Sequence, residues 1–454
     1  MNIIIVGCGR VGYVLAKELN EEGNNVTVID TVAESVNTVS IDTDVMGIIG
    51  NGATHEIQKE AGIDSADLLI AATGSDEINL LCCLIAKKAG NCQTIARIRN
   101  PEYSADAPFL KEELGLAMVI NPEYTTAKEI GRILRFPSAI NIESFADGRV
   151  ELLKFKIPDN SPIIGHQVKD LSSKFHCDVL VCTIERGQDG FVVNASTTFE
   201  EGDIVSIIAS PKNAHDFFKK IGHSSRPVKS CIIAGGGRIT HYLCEDISRA
   251  GIPVKVIDND KTVCESFADT WQNVEVIYGN PSDKGLLEEE GIETTGAFVS
   301  LTSKDEDNII LSLFASSKTD GKIITKVNNT EYNDLVRKLG LDAVVHPKNV
   351  TADAIIRYVR AMSNSKRGNV ETLYNIIPDK VEAAVFTVKE PSDLTGKELM
   401  ELKFRNNVIV AAILRGKKVI IPRGHDTIEV NDKIITVSEM MPIFNITDIL
   451  EKKI

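Results

Sequence analysis

Aromatic residues make up only 5% of this 454-residue chain, with a single tryptophan, Trp271. That leaves little surface for stacking nucleobases along a strand. Basic residues are outnumbered as well: 50 Lys and Arg against 64 Asp and Glu leave a net charge of −14. A nucleic-acid partner calls for a basic face, so none is expected. No apolar run reaches the roughly 18 residues of a membrane span, and the N-terminus enters a strand pattern, not a signal peptide. The expectation is a soluble, intracellular chain. The nine cysteines (Cys8, Cys82, Cys83, Cys92, Cys177, Cys182, Cys231, Cys244 and Cys264) are odd in number, irregular in spacing and contain no C-x-x-C pair. A disulfide framework or structural zinc is therefore not expected. They read as small core residues, with redox activity of the vicinal pair Cys82-Cys83 as the minor alternative. The eight histidines include no H-E-x-x-H and no cluster with metal spacing, so no metal site is expected either.

What is present begins at the N-terminus. Ile3-Ile4-Ile5-Val6 reads as a short strand buried on both faces. Gly7, Gly9 and Gly12 then fit G-x-G-x-x-G, with Val14, Leu15 and Leu19 carrying a helical stripe onward. In such a turn the first glycine permits the tight bend, the second lets backbone approach a pyrophosphate, and the third lets helix and strand pack closely. The helix N-terminus adds free N–H groups and a partial positive charge. The following strand, Val26 to Ile29, ends on Asp30. An acid there accepts hydrogen bonds from ribose hydroxyls and repels a 2′-phosphate, which favours NAD(H).

Strands and helices then alternate with short loops as far as a closing helix over 123–135. That alternation predicts an α/β fold with a doubly wound, Rossmann-like parallel sheet. Strand patterns crowd together from 150 to 209, which reads as a small α+β module, and the polar stretch 222–227 reads as a linker. The programme then repeats. Gly235 restates Gly7 and Asp258 restates Asp30. Asn51, Thr73, Asp76, Asn79, Arg97, Arg186-Gly187 and Asp203 fall on Asn280, Thr302, Asp305, Asn308, Lys326, Arg415-Gly416 and Asp432, at a near-constant separation. The chain is a tandem duplication of a two-domain unit, with expected limits of 1–136, 143–222, 229–362 and 370–452. Thr240 replaces the third glycine and Lys326 replaces Arg97, so the second site is expected to be the altered or weaker one. The closing helices 123–135 and 348–362 read equally as crossover elements between sheets or as ordinary core.

Ligands of open parallel sheets lie over the carboxyl ends of the strands. Asn51, Thr73 and Gly74 follow predicted strands and share that edge with Gly7–Gly12. Asn51 and Thr73 suit ribose or adenine, whereas Arg97 and Arg10 suit phosphate. The repeat nominates Gly235, Gly236, Gly237, Arg238, Ile239 and Asp258 in the second copy. No paired acid/base set recurs in the small modules: His166 and His176 face Lys397 and Asn407 in the other copy. A repeated binding module without a reactive set reads as a sensor. An NAD-dependent dehydrogenase acting on a small polar substrate, and a stand-alone nucleotide sensor, remain open.

Together Ile3–Gly12, Asp30, Gly50-Asn51-Gly52, Ala71–Thr73 with Asp76 and Asn79, and Ile95–Pro101 resemble the RCK (KTN) nucleotide-binding family, in its TrkA-type tandem arrangement. The resemblance implies a cytoplasmic, peripheral regulatory subunit of a Trk-type potassium uptake system and no catalytic residues. It implies a homo-oligomeric ring, dimer or tetramer, on a membrane-embedded K⁺-translocating subunit. It further implies binding of NAD(H), with ATP or ADP as alternatives, and adds Cys8 and Val11 to Gly7, Gly9, Arg10, Asp30, Thr73, Gly74 and Arg97 as nucleotide contacts.

Overall fold

The computed structural model describes the whole chain except residues 91, 138, 140, 146–148, 188, 223–227, 330–331, 342, 366–369, 378–379, 440–442, 444 and 452–454. The linker expected at 222–227 thus lies outside the described residues apart from Gly222. Ile3, Ile4, Ile5 and Val6 are each at most 2% exposed, as a strand covered on both faces should be. Around strand Asn2–Val6 the first sheet runs Met46–Ile49, Asn25–Asp30, Asn2–Val6, Leu68–Ala71, Gln93–Arg97, Met118–Ile120, all parallel. The order reverses between the first and fourth strands, the switch point of a doubly wound sheet. The second copy repeats the order as Val274–Tyr278, Val254–Asp258, Cys231–Ala234, Ala297–Ser300, Lys322–Lys326, Val344–Val345. The stretch 101–114, whose pattern reads as one helix, forms two: Pro101–Ala105 and Ala107–Glu113. Pro108 lacks an N–H and crowds the preceding turn, so the first helix stops before it.

The chain folds into two compact units, Met1–Arg135 with Val228–Ile356, and Phe136–Pro227 with Arg357–Ile454. Like therefore gathers with like: the two parallel sheets form one unit and the two small modules the other. In the first unit the helix Pro122–Arg135, which closes the first sheet, lies along Arg238–Arg249, the glycine-loop helix of the second copy. Its Ala127, Ile130 and Leu134 are at most 1% exposed and share a core with Ile233, Leu243, Ile247 and Val299. Gly131 is required at this crossing, because a Cβ there would come within 2.1 Å of the Asp246 carboxylate. Asp246 pairs with Lys128 at 2.5 Å, and Asn121 donates to the Tyr242 hydroxyl at 2.9 Å. For this helix both sequence readings hold at once: it crosses over, and it is core.

Each small module is a five-stranded antiparallel sheet. The first runs Asp189–Val192, Leu180–Arg186, Ile204–Ala209, Val150–Lys156, Asn141–Phe145, and the second, in the opposite sense, Val370–Ile377, Val381–Thr387, Lys433–Glu439, Val408–Arg415, Lys418–Ile420. The edge strands Asn141–Phe145 and Val370–Ile377 are additions to the sequence reading. The two sheets share a core that includes Phe145, Leu152 and Cys182 from one and Val381, Ala411 and Ile435 from the other. The repeated Arg-Gly pairs make hairpin turns, with Gly187 at φ +63° and Gly416 at φ +58°. The arginines also do something the repeat did not announce. Arg186 donates two hydrogen bonds to Asp203 at 2.8 Å and Arg415 two to Asp432 at 2.9 and 2.8 Å. Asp203 and Asp432 are at most 1% exposed, so each fork holds a buried carboxylate.

All nine cysteines are free and buried. Burial pushes the Cys82 thiol up to about 12 and Cys83 well above the ordinary range. A thiol held protonated in the core is neither nucleophile nor redox centre, which leaves the core reading of the vicinal pair. Two outcomes are expected. Native protein should react with almost no thiol reagent within minutes and release all nine thiols in urea; fast labelling of Cys82 or Cys83 would contradict their placement. Asp432→Ala should lower stability to urea by about 3 kcal/mol, the low end for a broken buried pair because Arg415 stays partly exposed; a loss below about 1 kcal/mol would rank it with surface bridges.

Candidate functional site

The loop after strand Asn2–Val6 takes the conformation its glycines allow. Gly7 has φ +105°, and a Cβ on it would sit 2.9 Å from the Ala72 carbonyl. A Cβ on Gly12 would come within 1.8 Å of the Gly7 oxygen. Gly9 differs: a Cβ there would meet nothing within 4 Å, so no contact within the fold requires a glycine at this position. Helix Arg10–Glu21 starts at Gly9 with no side-chain cap and no acid in its first turn. Elsewhere Ser75, Asn100, Ser210, Asp260 and Asp283 cap their helices with side-chain oxygens. Helices Ala33–Thr43, His55–Glu60 and Asp305–Lys318 also lack a side-chain cap, but each has an acid in its first turn, whereas the glycine-loop helix has none, which leaves its N–H groups and positive end able to receive an anion.

Asp30 ends the second strand beside this loop. One of its carboxylate oxygens accepts from the Cys8 N–H at 2.7 Å and the other from the Val32 N–H at 2.9 Å. The acid therefore braces the loop as well as offering its remaining lone pairs to a ribose. The Cys8 thiol is raised to about 12 by burial and by Asp30, so Cys8 serves through its backbone. Val11 is half-buried and Arg10 exposed.

Thr73 and Asn51 are engaged more than the sequence implied. The Thr73 hydroxyl donates to Asn79 Oδ1 at 2.7 Å, and Asn51 Oδ1 accepts from the Ala53 N–H at 3.0 Å in a local turn. Gly74 borders open space. Arg97, at the end of the fifth strand, donates from Nη1 to the Ala72 and Thr73 carbonyls at 3.3 Å each. Burial lowers its pKa, helped by the charge of Arg99, and its buried Nε has no partner. A desolvated guanidinium with an unmet N–H beside a glycine loop fits a phosphate oxygen.

The sequence reading gave no role to Asn79 and took Asp76 only as an alternative to Ser75 for the helix cap, which Ser75 makes; both residues hold this edge together. Asn79 is fully buried; it accepts from the Thr73 N–H at 2.8 Å and donates to the Arg97 carbonyl at 2.9 Å. Asp76 accepts from the backbone N–H groups of Arg99 and Asn100 at 2.8 and 2.7 Å. Their recurrence as Asn308 and Asp305 was the available signal, and those residues make the same bonds.

The second loop keeps the geometry of the first. Gly235 has φ +104°, and Asp258 accepts from the Gly236 N–H at 2.6 Å. Gly237 opens helix Arg238–Arg249, again uncapped. Thr240, which takes the place of the third glycine, is fully buried and donates its hydroxyl to the Gly235 carbonyl at 2.5 Å. The substitution is absorbed by a hydrogen bond in place of a bare contact. Arg238 is exposed, and Ile239 packs against the core beneath the loop and has only its backbone to offer.

With this geometry in place, the chain can be set beside known proteins. The TrkA-N domain matches residues 3–122 and 231–347, and the TrkA-C domain matches 152–222 and 383–437. The Trk system potassium uptake protein TrkA homolog of Archaeoglobus fulgidus is 32% identical over 99% of this chain and 100% of its own length. TrkA homolog 1 of Methanosarcina mazei is 31% identical over 96% of this chain and 97% of its own, and TrkA of Haemophilus influenzae 30% over 96% and 95%. Among solved structures, the GsuK channel bound to NAD superposes with a TM-score of 0.63 at 17% identity, covering 97% of this chain and 77% of the other. The GsuK structure bound to ADP superposes with a TM-score of 0.51 at 15% identity, covering 80% and 69%. Two glycine loops on two doubly wound sheets, each followed by a small antiparallel module, and matches of this length to both domains place the chain in the TrkA family of Trk potassium-uptake proteins.

Proposed function

We propose that this protein is a nucleotide-binding regulatory subunit of a potassium-uptake system and not an enzyme. The observation that carries the reading is the pair of bare, uncapped glycine loops, each braced by a strand-end carboxylate, in a chain that aligns end to end with TrkA relatives. The working parts are two nucleotide domains, 1–136 and 229–362, and two small domains, 143–222 and 370–452. The ligand is NAD(H) or an adenine nucleotide, in line with the NAD- and ADP-bound structures that share the fold. Gly7–Gly12 would receive its phosphates, with Arg97 at the sheet edge, and Asp30 its ribose; Gly235–Ile239 and Asp258 repeat the set. Asn51, Thr73 and Gly74 border the same edge. The partner is a membrane-embedded K⁺-translocating protein, met on the cytoplasmic face by a homo-oligomeric ring. No helix among the described residues is long and apolar enough to cross a membrane, so the pore belongs to that partner.

The mechanism is a population shift. Ligand favours one domain arrangement by the difference in its affinity for the two arrangements, and that difference bounds the effect on the pore. The helix Pro122–Arg135 couples the copies mechanically, since its start abuts the first site's edge and its length is buried against the second glycine-loop helix.

Calorimetric titration of NADH, NAD⁺, ADP and ATP tests the reading. Asp30→Ala should weaken the bound nucleotide about 10–100-fold, the effect of about 1.5–3 kcal/mol for hydrogen bonds to a charged group. Unchanged affinity would remove Asp30 from the site. Gly9→Ala and Gly12→Ala should separate ligand contact from folding. Gly9→Ala should keep wild-type thermal stability while binding weakens at least about tenfold, because its new methyl occupies only the phosphate's space. Gly12→Ala should lose about 2 kcal/mol or more of stability through overpacking against Gly7. Regulation is tested separately: tagged chain should move to membranes only where a K⁺-translocating partner is present, and failure to do so refutes the uptake role.

A further inference from the structure

The two sheets fasten their ligand edges by different means. In each copy two neighbouring strands end beside the glycine loop: Leu68–Ala71 with Gln93–Arg97 in the first, Ala297–Ser300 with Lys322–Lys326 in the second. One fastening is common to both. Asn79 and Asn308 each bond the threonine that follows one strand and the last carbonyl of the other. In the first copy the second fastening is Arg97 itself. Its Nη1 lies 3.3 Å from both the Ala72 and the Thr73 carbonyls, long for hydrogen bonds, and so links one strand end to the other. Beneath it the register partners Ala71 and Ala96 are apolar, and the buried Cys83 thiol, a weak donor, reaches only the Ile95 carbonyl at 3.4 Å. The group that bridges this edge is therefore the group offered to a phosphate, and a phosphate oxygen on Arg97 competes with the two carbonyls.

The second copy is fastened from below. At the positions of Ala71, Cys83 and Ala96 it carries Ser300, Ser312 and Thr325, all fully buried. Thr325 donates to Ser312 at 2.7 Å, Ser312 and Ser300 share a bond of 2.8 Å, and Ser300 donates to the Ile324 carbonyl at 3.4 Å. Taken in that order, the chain uses the one proton of each hydroxyl. A buried network whose donors are all satisfied holds its members in one arrangement. Ser312 stands one turn after Asn308 on helix Asp305–Lys318, so this helix grips the two strand ends twice. Lys326, which replaces Arg97, takes no part: among the described residues its ammonium makes no hydrogen bond. A ligand can meet Lys326 without undoing anything that holds the second edge.

We propose that the first site is the one whose edge changes when nucleotide binds, and that Ser312 is a positioning residue that holds the second edge fixed. The inference rests on the nucleotide-binding reading above and deepens it by dividing the work between the copies. A ligand moves a conformational balance only through its different affinities for the two forms. The first edge has two forms to offer, Arg97 on its carbonyls or Arg97 on phosphate. The second edge has one, set in advance by the hydroxyl chain.

Hydrogen exchange of the full-length protein, alone and with saturating ATP or NAD⁺, tests this. Protection of 8–12 and of 236–240 reports which loop is occupied. In the wild type, exchange over 71–74 and 95–98 should change about fivefold or more on binding, while 300–303 and 324–327 change by less than about twofold. Ser300→Ala, Ser312→Cys and Thr325→Ala made together give the second copy the residues of the first. That variant should bring the second edge's response to nucleotide up to about fivefold, with melting close to wild type because each hydroxyl is removed along with its partner. Ser312→Cys alone, the milder change, should raise the response to about twofold or more and serves if the triple variant does not fold. A purely structural role for Ser312 would lower the melting temperature and leave that response unmoved. The proposal is overturned, with the first site left standing, by a wild-type second edge that responds as strongly as the first, by one that stays silent in the folded variants, or by a second loop that neither nucleotide protects. A first edge that stays silent while 8–12 is protected also overturns it. Protection of neither loop would overturn the nucleotide reading itself and this inference with it.

Discussion

The first unit depends on the burial of one helix in another copy's core. Pro122–Arg135 completes the first sheet, yet its apolar stripe is covered by the second copy, and Gly131 is bare so that Asp246 can approach. Ala127, Ile130 and Leu134 would otherwise lie open to water at roughly 25 cal/mol per Å² of apolar surface. The Lys128–Asp246 pair and the Asn121–Tyr242 bond add direction more than energy, because taking polar groups out of water offsets much of what they gain. The consequence is a fixed relation between the two glycine loops: a shift of this helix moves the second loop's own helix with it.

The loops themselves are built for a ligand and not for the fold. Gly7 and Gly12 answer to the backbone, whereas Gly9 answers to nothing in the protein. Both glycine-loop helices start at a glycine without a side-chain cap and without an acid in the first turn. Arg97 keeps a buried N–H without a partner. Under the nucleotide-binding reading proposed above, each of these features carries a small cost that a bound phosphate would remove.

Much of this was legible in the chain. The strand–glycine–helix–acid order, the duplication and the alternation that yields a parallel sheet follow from local sequence, because glycine φ, helix periodicity and strand burial are local constraints. The positions of the nominated residues were legible for the same reason: the glycine loop and Asp30 meet at one edge of the sheet, and Arg97 reaches the Ala72 and Thr73 carbonyls there. Thr73 and Asn51 are present but their side chains are engaged with Asn79 and Ala53, which no spacing announces. Asn79 and Asp76 were visible as repeated letters, Asp76 as no more than a candidate helix cap, since their partners include backbone groups some twenty residues away.

What sequence alone determined was the class of each domain, its repeat and the chemistry of its glycine loops, all settled by neighbours within a few residues or by a constant offset. What only tertiary structure decided was association. That parallel sheet pairs with parallel sheet and small module with small module depends on apolar faces that look like ordinary core in one dimension. Whether Arg186 was only a turn residue or also the grip on Asp203 depended likewise on which surfaces met. Side-chain periodicity states that a face must be buried; it does not state against what.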